Sequence, residues 1–417
     1  MDEKLLKPYN PKETEDRIYK LWEESGFFNP DMCVKKGVTD KDAEPFSVVL
    51  PPPNVTGMLH LGHAFEDTLQ DAFVRYERMR GKKTLWIPGT DSAAIATQAR
   101  VEKEIYKKEG RTRHDLGREE LVSRVEKFAK ESESTILNQI KKIGASLDWS
   151  RYAYTLDEKR NEAVAHAFIQ MYNAGLIYRG NRIVNWDPKG QTTISDDEVV
   201  HEERDAMLYT FTYWKDFPIS ISTTRPETKV GDTAVAVNPK DTRYKKFIGK
   251  TFTGEFAGTT LTLQIVGDEA VDKEFGTGAV GVTPAHSYTD SQIADRHNLP
   301  RLQVINEYAK MAEAAGTLVA GLKTTEAREK VVTWLKENNL LQKEEKIKHN
   351  ISISERTGGV IEPLPKLQWF INVDKLFVIP YSEIPGVSTG EEITLKELMR
   401  RAVAQGGIGI WPDRFQK

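Results

Sequence analysis

A stretch of thirteen residues, PPPNVTGMLHLGH at positions 51–63, combines residue types that suit the binding of a nucleotide. It follows an apolar run at 46–50 and precedes a helical pattern. A strand that ends in a glycine-containing turn and leads into a helix offers free N–H groups and the positive end of the helix dipole to a phosphate. His60 and His63 lie one helical turn apart, so we expect both to face that phosphate and donate hydrogen bonds.

The composition is that of an ordinary globular protein. The 417 residues are 39% hydrophobic and 29% charged, which allows two or three domains. The single cysteine, Cys33, excludes a disulfide framework and a thiolate metal cluster, and it favours a reducing compartment. The N-terminus is charged, and no apolar run approaches the roughly 18 residues that span a bilayer, so we expect a cytoplasmic protein with no membrane partner. Because the net charge is -3, a nucleic acid would have to bind local patches. The lysine clusters at 103–108 and 141–142 are candidates, although a solvated helix face explains them equally well.

The elements that must position the histidines alternate between strand and helix. A strand at 47–50, a helix and a second strand at 83–87 predict a parallel crossover of the doubly wound α/β kind. The helix is marked by an apolar stripe of Phe65, Leu69, Ala72, Phe73, Tyr76 and Met79. Ligands of such sheets bind beyond the carboxyl ends of the strands, where His60 and Asp91 lie, so these two should face one pocket. Further helices are expected at 95–108, 119–143 and 157–174.

The pattern changes at about residue 201 to short segments rich in threonine and valine. These segments, at 208–213, 219–223, 259–266 and 278–283, predict a small β-rich domain. Helices at 290–297 and 324–337 accompany it.

Six segments, in order along the chain, together resemble the class I aminoacyl-tRNA synthetases, in the branch specific for valine. PPPNVTGMLHLGH resembles the HIGH-type motif of that family, and WIPGTDSAAIATQ at 86–98 resembles its next conserved pattern. TTRPET at 223–228 and GTGAVGVTPAH at 276–286 resemble the threonine-rich strand and the binding loop of the inserted editing domain. NWDPKGQTTISDDEV at 185–199 and ISERTGGVIEPLPKLQWF at 353–370 resemble the segments that flank the insertion.

The resemblance implies a Rossmann-like doubly wound nucleotide-binding domain that is split by a β-rich α+β editing domain. On that basis we expect an N-terminal helical extension at 1–45 and the first half of the catalytic domain at 46–200. The editing domain is expected at 201–348, and a connection returning toward the catalytic domain at 349–417. The family's second ATP motif, KMSKS, does not appear before Lys417. We therefore expect an N-terminal portion that cannot aminoacylate tRNA alone.

The resemblance also implies activation of valine with ATP and Mg²⁺, followed by transfer to a valine-type tRNA. His60, Gly62 and His63 would be catalytic, and Pro53, Asn54 and Asp91 would bind the amino acid, with Asp91 on its ammonium. The implied ATP-binding motif comprises Pro53, Asn54, Val55, Thr56, Gly57, Met58, Leu59, His60, Leu61, Gly62 and His63. We expect a monomer.

The implied editing site hydrolyses tRNA that has been charged with threonine by mistake. A hydrophobic valine pocket rejects the added hydroxyl by only about 10²-fold, a figure obtained on this enzyme family. Asp290 would hold the ammonium of the wrong residue, and Arg225 would hold the tRNA end. The other implied editing residues are Thr223, Thr224, Thr228, His286 and Ser287.

Several positions depart from the family pattern. Gly281 stands where lysine is usual, and Ser287 where aspartate is usual. In the second segment, Ser92 replaces a histidine and Ala94 a glycine. Asp187 and Gly190 stand where some relatives have zinc-binding cysteines, so we expect no protein-bound zinc.

Other functions stay open on the sequence. An isoleucine-specific synthetase shares the architecture. A free-standing aminoacyl-tRNA deacylase would need no ATP motif, and a non-catalytic nucleotide-binding or tRNA-binding fragment would hydrolyse nothing.

Overall fold

The computed structural model describes residues 8–415, which form two compact units. The first unit ends at Gln170, and the second begins at Met171. The four domains expected from the sequence, and the boundaries between them, stay predictions.

The first unit is built mainly from helices around short parallel strands. Its elements are α1 (Pro11–Ser25), α2 (Pro30–Lys35), β1 (Pro45–Val49), α3 (Leu61–Met79), β2 (Lys83–Ile87), β3 (Gly89–Thr90), α4 (Ala94–Glu109), α5 (Arg113–Leu116), α6 (Arg118–Lys142), β4 (Ala153–Tyr154) and most of α7 (Glu158–Asn173). All three helices expected after the second strand are confirmed. Among residues 8–415, no helix combines the length and the apolar character needed to cross a membrane.

The predicted crossover is confirmed. β1 and β2 are parallel and in register from Pro45 opposite Lys83 to Val49 opposite Ile87, and α3 connects them. A core of buried side chains packs against this strand–helix–strand crossover, including Leu50, Val74, Trp86, Ile136, Ile140 and Leu147. The carboxyl end of β1 is therefore anchored directly before the turn that carries the histidines.

The apolar stripe of α3 does not form a buried face, and this differs from the usual outcome for such a pattern. Phe65, Leu69, Phe73, Tyr76 and Met79 are all exposed, whereas the buried residues of α3 are Asp67 and Val74. The physical reason is that β1 and β2 form a sheet of only two strands within the described residues. A parallel sheet normally continues and is covered on both faces, whereas no residue in 8–415 buries this stripe.

The second unit is rich in β-structure. Its elements are β5 (Ile177–Asp187), β6 (Thr192–Ile194), β7 (Val199–Phe211), β8 (Ile221–Thr223), β9 (Ala234–Val237), β10 (Thr251–Phe256), β11 (Thr259–Gly267), β12 (Ala279–Val282), α8 (Tyr288–His297), α9 (Thr324–Glu337), β13 (Leu341–Ser354), β14 (Glu362–Ile371), β15 (Leu376–Val378), β16 (Glu392–Thr394) and α10 (Leu395–Ala404). The predicted strands and both predicted helices are present, and β7 is longer than expected.

Four sheets organise the second unit. A four-stranded sheet has the order β10-β11-β9-β12, and two three-stranded sheets have the orders β13-β7-β8 and β14-β5-β6, while β15 pairs with β16. β9 lies at the centre with every residue buried, as expected of a short strand rich in alanine and valine. Aromatic rings complete the core, where Phe211 stacks on Phe256 with centroids 5.7 Å apart.

A buried carboxylate organises the loop in which some relatives have zinc-binding cysteines. Asp187 Oδ1 accepts hydrogen bonds from the N–H groups of Lys189 at 2.9 Å and Gly190 at 3.0 Å. Its Oδ2 accepts from Thr357 Oγ1 at 2.6 Å. The side chain is fully buried, so one carboxylate connects the loop after β5 to the loop before β14.

We expect Asp187→Asn to lower the free energy of unfolding by about 1–3 kcal/mol, because the amide cannot accept all three hydrogen bonds. Urea unfolding monitored by tryptophan fluorescence measures the change. Asp197→Asn is the matched control, because Asp197 is exposed and lies in the same region. Equal stability of the two variants would contradict the role given to Asp187.

Candidate functional site

Two histidines cap the start of α3, and backbone N–H groups fix the tautomers of both rings. His60 Nδ1 accepts from the N–H of Gly62 at 3.0 Å, and His63 Nδ1 accepts from the N–H of His60 at 3.2 Å. Because Nδ1 is the acceptor in both rings, the proton of each neutral imidazole lies on Nε2. Burial and the neighbouring His60 lower the pKa of His63, which keeps that ring neutral. The pair therefore presents two Nε2–H donors.

This arrangement differs in detail from the free helix start that the sequence predicts. The N–H of Gly62 is already bonded to His60, so the imidazoles carry the donor function outward. A side chain at Gly62 would place its Cβ 2.9 Å from Cε1 of His60, so glycine leaves the space that the ring occupies.

A cavity of about 420 Å³ opens in front of these donors. Eight predicted motif residues line it, namely Pro53, Asn54, Thr56, Gly57, Met58, Leu59, His60 and His63. The other three do not, because Val55 is buried in the core, Leu61 is exposed and Gly62 lies beneath the His60 ring. A second cavity of about 270 Å³ shares Thr56, Gly57 and Met58 with the first. The motif thus forms the wall of a polar pocket large enough for a nucleotide.

Asp91 lies beside the motif but is not among the residues that line the cavity. Its backbone pairs with the motif, since the N–H of Val55 donates to Asp91 O and the N–H of Asp91 donates to Pro53 O, both at 2.9 Å. Its Oδ1 accepts from the N–H of Ala93 at 2.8 Å and from Thr155 Oγ1 at 2.9 Å. Neither bond uses Oδ2, so one carboxylate oxygen stays available to a cationic group.

The segment after Asp91 adopts a conformation that favours glycine. Ala93 has a φ of +48° and Ala94 a φ of +20°, in the region that L-residues with a side chain rarely occupy. Ala94 is one of the positions at which this chain departs from the family pattern. Ser92 is held in place because its N–H donates to Thr155 Oγ1 at 3.0 Å. Thr155, which also donates to Asp91 Oδ1, therefore holds this turn from both Asp91 and Ser92.

In the second unit, the predicted threonines are used largely inside their own turn. Thr223 Oγ1 accepts from the N–H of Arg225 at 3.0 Å, and Thr228 Oγ1 donates to Arg225 O at 2.9 Å. Thr224 is partly exposed between them. Both bonded threonines thus fix the position of Arg225.

Arg225 is held by two carboxylates. Its Nη2 lies 2.8 Å from both oxygens of Glu362, and its Nε lies 3.4 Å from Glu227 Oε1. The fully buried Glu227 is also bonded by Arg328, through Nε at 2.8 Å and Nη2 at 2.7 Å. Burial alone would lower the pKa of Arg225, but the two carboxylates outweigh it and raise that pKa. Most of the charge of Arg225 is therefore balanced within the protein.

His286 is a buried, uncharged side chain that accepts hydrogen bonds from the backbone. Its Nε2 accepts from the N–H groups of Val304 at 2.9 Å and Ile305 at 3.2 Å, and its Nδ1 lies 3.7 Å from Glu362 Oε1. Burial, together with the charge of Arg225, lowers the pKa of His286 to about 3. The ring is therefore uncharged at neutral pH.

Asp290 and Ser287 come together at the start of α8. Ser287 caps the helix by accepting from the N–H of Asp290 at 3.3 Å, and Asp290 Oδ2 accepts from the N–H of Thr283 at 2.8 Å. The Asp290 carboxylate is nearly buried and keeps its second oxygen free of these bonds.

Lys229 is buried and lies next to Thr283, the residue whose N–H donates to Asp290. Its Nζ donates to Gly281 O at 2.7 Å and to Thr283 Oγ1 at 2.8 Å, and it lies 3.2 Å from Asp232 Oδ1. Because Thr283 also binds Asp290, the ammonium of Lys229 and the carboxylate of Asp290 are connected through one threonine.

Gly281 makes room for this cluster. A Cβ at Gly281 would overlap both Asp232 Oδ2 and the hydroxyl of Tyr213, which themselves form a hydrogen bond. Burial raises the pKa of Asp232, and Lys229 opposes that rise. Gly281 stands where the family usually has a lysine, and in this chain the buried ammonium of Lys229 donates to the carbonyl oxygen of Gly281.

Sequence reasoning missed six titratable residues of this region, namely Tyr213, Glu227, Lys229, Asp232, Arg328 and Glu362. Two of them, Glu227 and Glu362, lie inside segments that carry the family resemblance. Their place in those segments was the signal that could have identified them. Among residues 8–415, no group of three or more His, Cys, Asp or Glu side chains is placed to hold a metal ion.

We expect Lys229→Met to lower the free energy of unfolding by about 3–5 kcal/mol, because it leaves the Asp232 carboxylate buried without its cation. The double variant Lys229→Met with Asp232→Asn should recover part of the loss, as measured by urea unfolding. Lys240→Met is the control, since Lys240 is exposed and its pair with Glu269 lies on the surface. A loss no larger than that of the control would contradict the pairing.

The model of the family "tRNA synthetases class I (I, L, M and V)" matches residues 17–387. A valine–tRNA ligase from Clostridium acetobutylicum is 45% identical over 90% of this chain and 42% of that relative. The valine–tRNA ligase of Thermotoga maritima is 46% identical over 98% of this chain and 44% of its own length.

A solved LeuRS–tRNA–LeuAMS complex from Agrobacterium radiobacter K84 aligns with a TM-score of 0.38 at 18% identity, covering 85% of this chain and 49% of that chain. The chain spans about two fifths of the length of the valine–tRNA ligases it matches. Because the family match extends over most of the chain, the protein belongs to the class I tRNA synthetases of the isoleucine, leucine, methionine and valine group.

Proposed function

We propose that this chain is the part of a valine–tRNA ligase that binds ATP and valine and that removes threonine from mischarged tRNA. The observation that carries the proposal is the pair of Nε2–H donors of His60 and His63 at the wall of the 420 Å³ cavity. The names and identity of the relatives support valine as the amino acid.

In the activation step, the valine carboxylate attacks the α-phosphorus of ATP, and pyrophosphate leaves. Catalysis of this kind depends on placement and on charge stabilisation rather than on a protein nucleophile. His60 and His63 donate hydrogen bonds to phosphate oxygens as negative charge builds up. Because both rings are tied to the backbone through Nδ1, they need no reorganisation during the reaction.

The amino acid is held at the edge of the same site. The free Oδ2 of Asp91 pairs with the valine ammonium, and Asn54 contributes from the cavity wall. The backbone pairing of Asp91 with the motif keeps the two groups in a fixed relation. We further propose that Mg²⁺ enters with ATP, and that the protein acts as a monomer in the cytoplasm.

In the editing step, water hydrolyses the ester that joins threonine to the tRNA ribose. The Asp290 carboxylate pairs with the threonine ammonium through the oxygen that Thr283 leaves free. Arg225 is largely neutralised by Glu362 and Glu227, so it contributes an N–H donor to the tRNA end rather than a free charge. Ser287 lies one turn from Asp290 and offers a hydroxyl to the threonine side chain.

A free-standing deacylase is the second candidate. The observation that favours it is the separate hydrophobic core of the second unit, built from residues of that unit alone.

We expect His60→Ala and His63→Ala each to lower the rate of valine-dependent ATP–pyrophosphate exchange by about 10²-fold, because each removes one donor to developing charge. The assay uses a fusion of this chain to the remaining length of the Thermotoga maritima relative. His166→Ala, at an exposed histidine of α7, is the control. Exchange that persists in both variants would contradict the role of the pair, and faster exchange with isoleucine would favour the isoleucine-specific alternative.

We expect this chain to hydrolyse threonyl-tRNA of the valine type, and Asp290→Asn to reduce that rate at least about tenfold, because the amide keeps the bond to Thr283 but loses the charge that holds an ammonium. Asp295→Ala on the same helix is the control, since Asp295 is mostly exposed. Hydrolysis that is unaffected by Asp290→Asn excludes Asp290 as the anchor. Absence of hydrolysis in the parent chain excludes editing by this chain alone.

A further inference from the structure

The ammonium of Lys229 uses all of its donors inside the second unit. Its Nζ donates to Gly281 O at 2.7 Å, to Thr283 Oγ1 at 2.8 Å and to Asp232 Oδ1 at 3.2 Å. Lys229, Asp232 and Thr283 are all buried. Because an ammonium group has three N–H donors, no donor remains for a substrate. Any effect of Lys229 on the candidate editing site must therefore pass through the groups that it binds.

Thr283 is the group that connects Lys229 to Asp290. Its Oγ1 accepts from Lys229 and donates to Asp232 Oδ1, so the single hydroxyl proton has a defined direction. The backbone N–H of the same residue donates to Asp290 Oδ2 at 2.8 Å. The position of the Asp290 carboxylate therefore depends on a residue whose side chain Lys229 holds.

Tyr213 completes the cluster from the other side of Asp232. Its hydroxyl donates to Asp232 Oδ2. Burial, together with the charge of Asp232, raises the pKa of Tyr213 well above its usual value, so the phenol stays protonated and keeps donating. Asp232 thus accepts from a lysine, a threonine and a tyrosine, and these hydrogen bonds favour its charged form.

The charges of this region leave a single negative charge over. The two arginines of the region balance its two buried glutamates, and Lys229 balances Asp232. Among residues 8–415, no ion pair involves Asp290, which therefore keeps its charge for a ligand. One carboxylate charge is the complement of one ammonium group. Without Lys229, the same region would carry two uncompensated negative charges.

The lysine of this cluster comes from a different element than the family pattern would suggest. The family usually has a lysine at position 281, on β12, where this chain has glycine. Lys229 instead lies in the turn at Pro226–Gly231, which follows β8. A Cβ at position 281 would overlap Asp232 Oδ2 and the hydroxyl of Tyr213, so this arrangement of the two side chains requires glycine there.

We propose that Lys229 is a positioning residue of the editing reaction, which holds the Asp290 carboxylate in place through Thr283 and neutralises Asp232, so that Asp290 is left to bind the substrate ammonium. The reaction assigned to it rests on the proposed editing function, whereas the link from Lys229 to Asp290 does not. If Lys229 served folding alone, hydrolysis by a folded variant would not depend on the hydroxyl of Thr283.

Thr283→Val tests the hydroxyl, because valine has nearly the same shape and keeps the N–H that donates to Asp290. We expect kcat for hydrolysis of threonyl-tRNA by the full chain to fall about tenfold, because the anchor of the ammonium is misplaced. KM for the tRNA should not change, since the buried Thr283 and Lys229 do not contact it. Thr283→Ser keeps the hydroxyl and should retain the parent kcat.

The matched control is Thr262→Val, which removes an exposed hydroxyl that is bonded to Thr253 Oγ1 at 3.1 Å across the β10–β11 pair. All variants are assayed at a temperature at which urea unfolding shows them to be folded. Parent-like kcat in Thr283→Val overturns the proposal. An equal fall in Thr283→Ser would show a packing effect rather than a hydrogen bond, and it would overturn the proposal as well.

The double variant Lys229→Met with Asp232→Asn separates positioning from stability, because it removes the ion pair without leaving a buried charge unpaired. Its kcat should stay low even though part of the stability is recovered. Its Thr283 amide should exchange with deuterium about five to ten times faster than in the parent, the change expected when about one hydrogen bond of local stability is lost. Amides of the β10–β11 ladder should keep their parent exchange rates.

The exchange measurement needs no substrate, so it separates this inference from the proposed function. Parent-like exchange at Thr283 in the double variant overturns the link between Lys229 and Asp290. Parent-like kcat in the double variant overturns the role of that link in editing. If the parent chain hydrolyses no threonyl-tRNA, the proposed editing function fails and the reaction assigned to Lys229 fails with it, and faster exchange at Thr283 would then show that the link itself is present.

Discussion

The pairing of buried carboxylates with arginine is the interaction on which the second unit depends. Glu227 is fully buried and Glu362 almost so, and an unpaired carboxylate in either place would cost several kcal/mol. Arg225 connects the two, and Arg328 completes the neutralisation of Glu227. This chain of charges joins β14, the turn after β8 and α9. The position of Arg225, and of the threonines bonded to it, follows from that constraint.

The two candidate sites solve the problem of orienting polar groups in different ways. Around Asp290, burial is nearly complete, so the charges of Lys229 and Asp232 neutralise each other. Thr283 accepts from Lys229 and donates its N–H to Asp290, so it fixes the distance between the lysine and that carboxylate. At the start of α3 the rings are more exposed, and neutral hydrogen bonds suffice because each imidazole accepts a backbone N–H. Water would compete with a single exposed hydrogen bond, but the reciprocal pair restrains both rings at once.

The sequence predicted the elements well and their surroundings less well. Periodicity identified α3 and its apolar face, but it could not show whether anything covers that face, and Phe65 and Phe73 are exposed. Local motifs located Arg225, yet its partner Glu362 lies 137 residues away, and such a pairing is a product of tertiary structure. Lys229 was overlooked because an isolated lysine in a turn is normally solvated. The groups that receive its ammonium, Gly281 O and Thr283 Oγ1, lie 52 and 54 residues away in the sequence.

Arg182 and Lys366 lie opposite each other on the paired strands β5 and β14, where each lies near an aromatic ring. On the β7–β13 ribbon, Arg204 pairs with Glu202 and Lys348 with Asp205, so those charges act locally and largely cancel. The net charge of -3 gives the protein as a whole no attraction for a polyanion. Screening limits each charge to roughly 8–10 Å at physiological salt, so a phosphate near Arg182 and Lys366 responds to those two cations rather than to the net charge. Local placement, rather than composition, therefore decides where this protein attracts an anion.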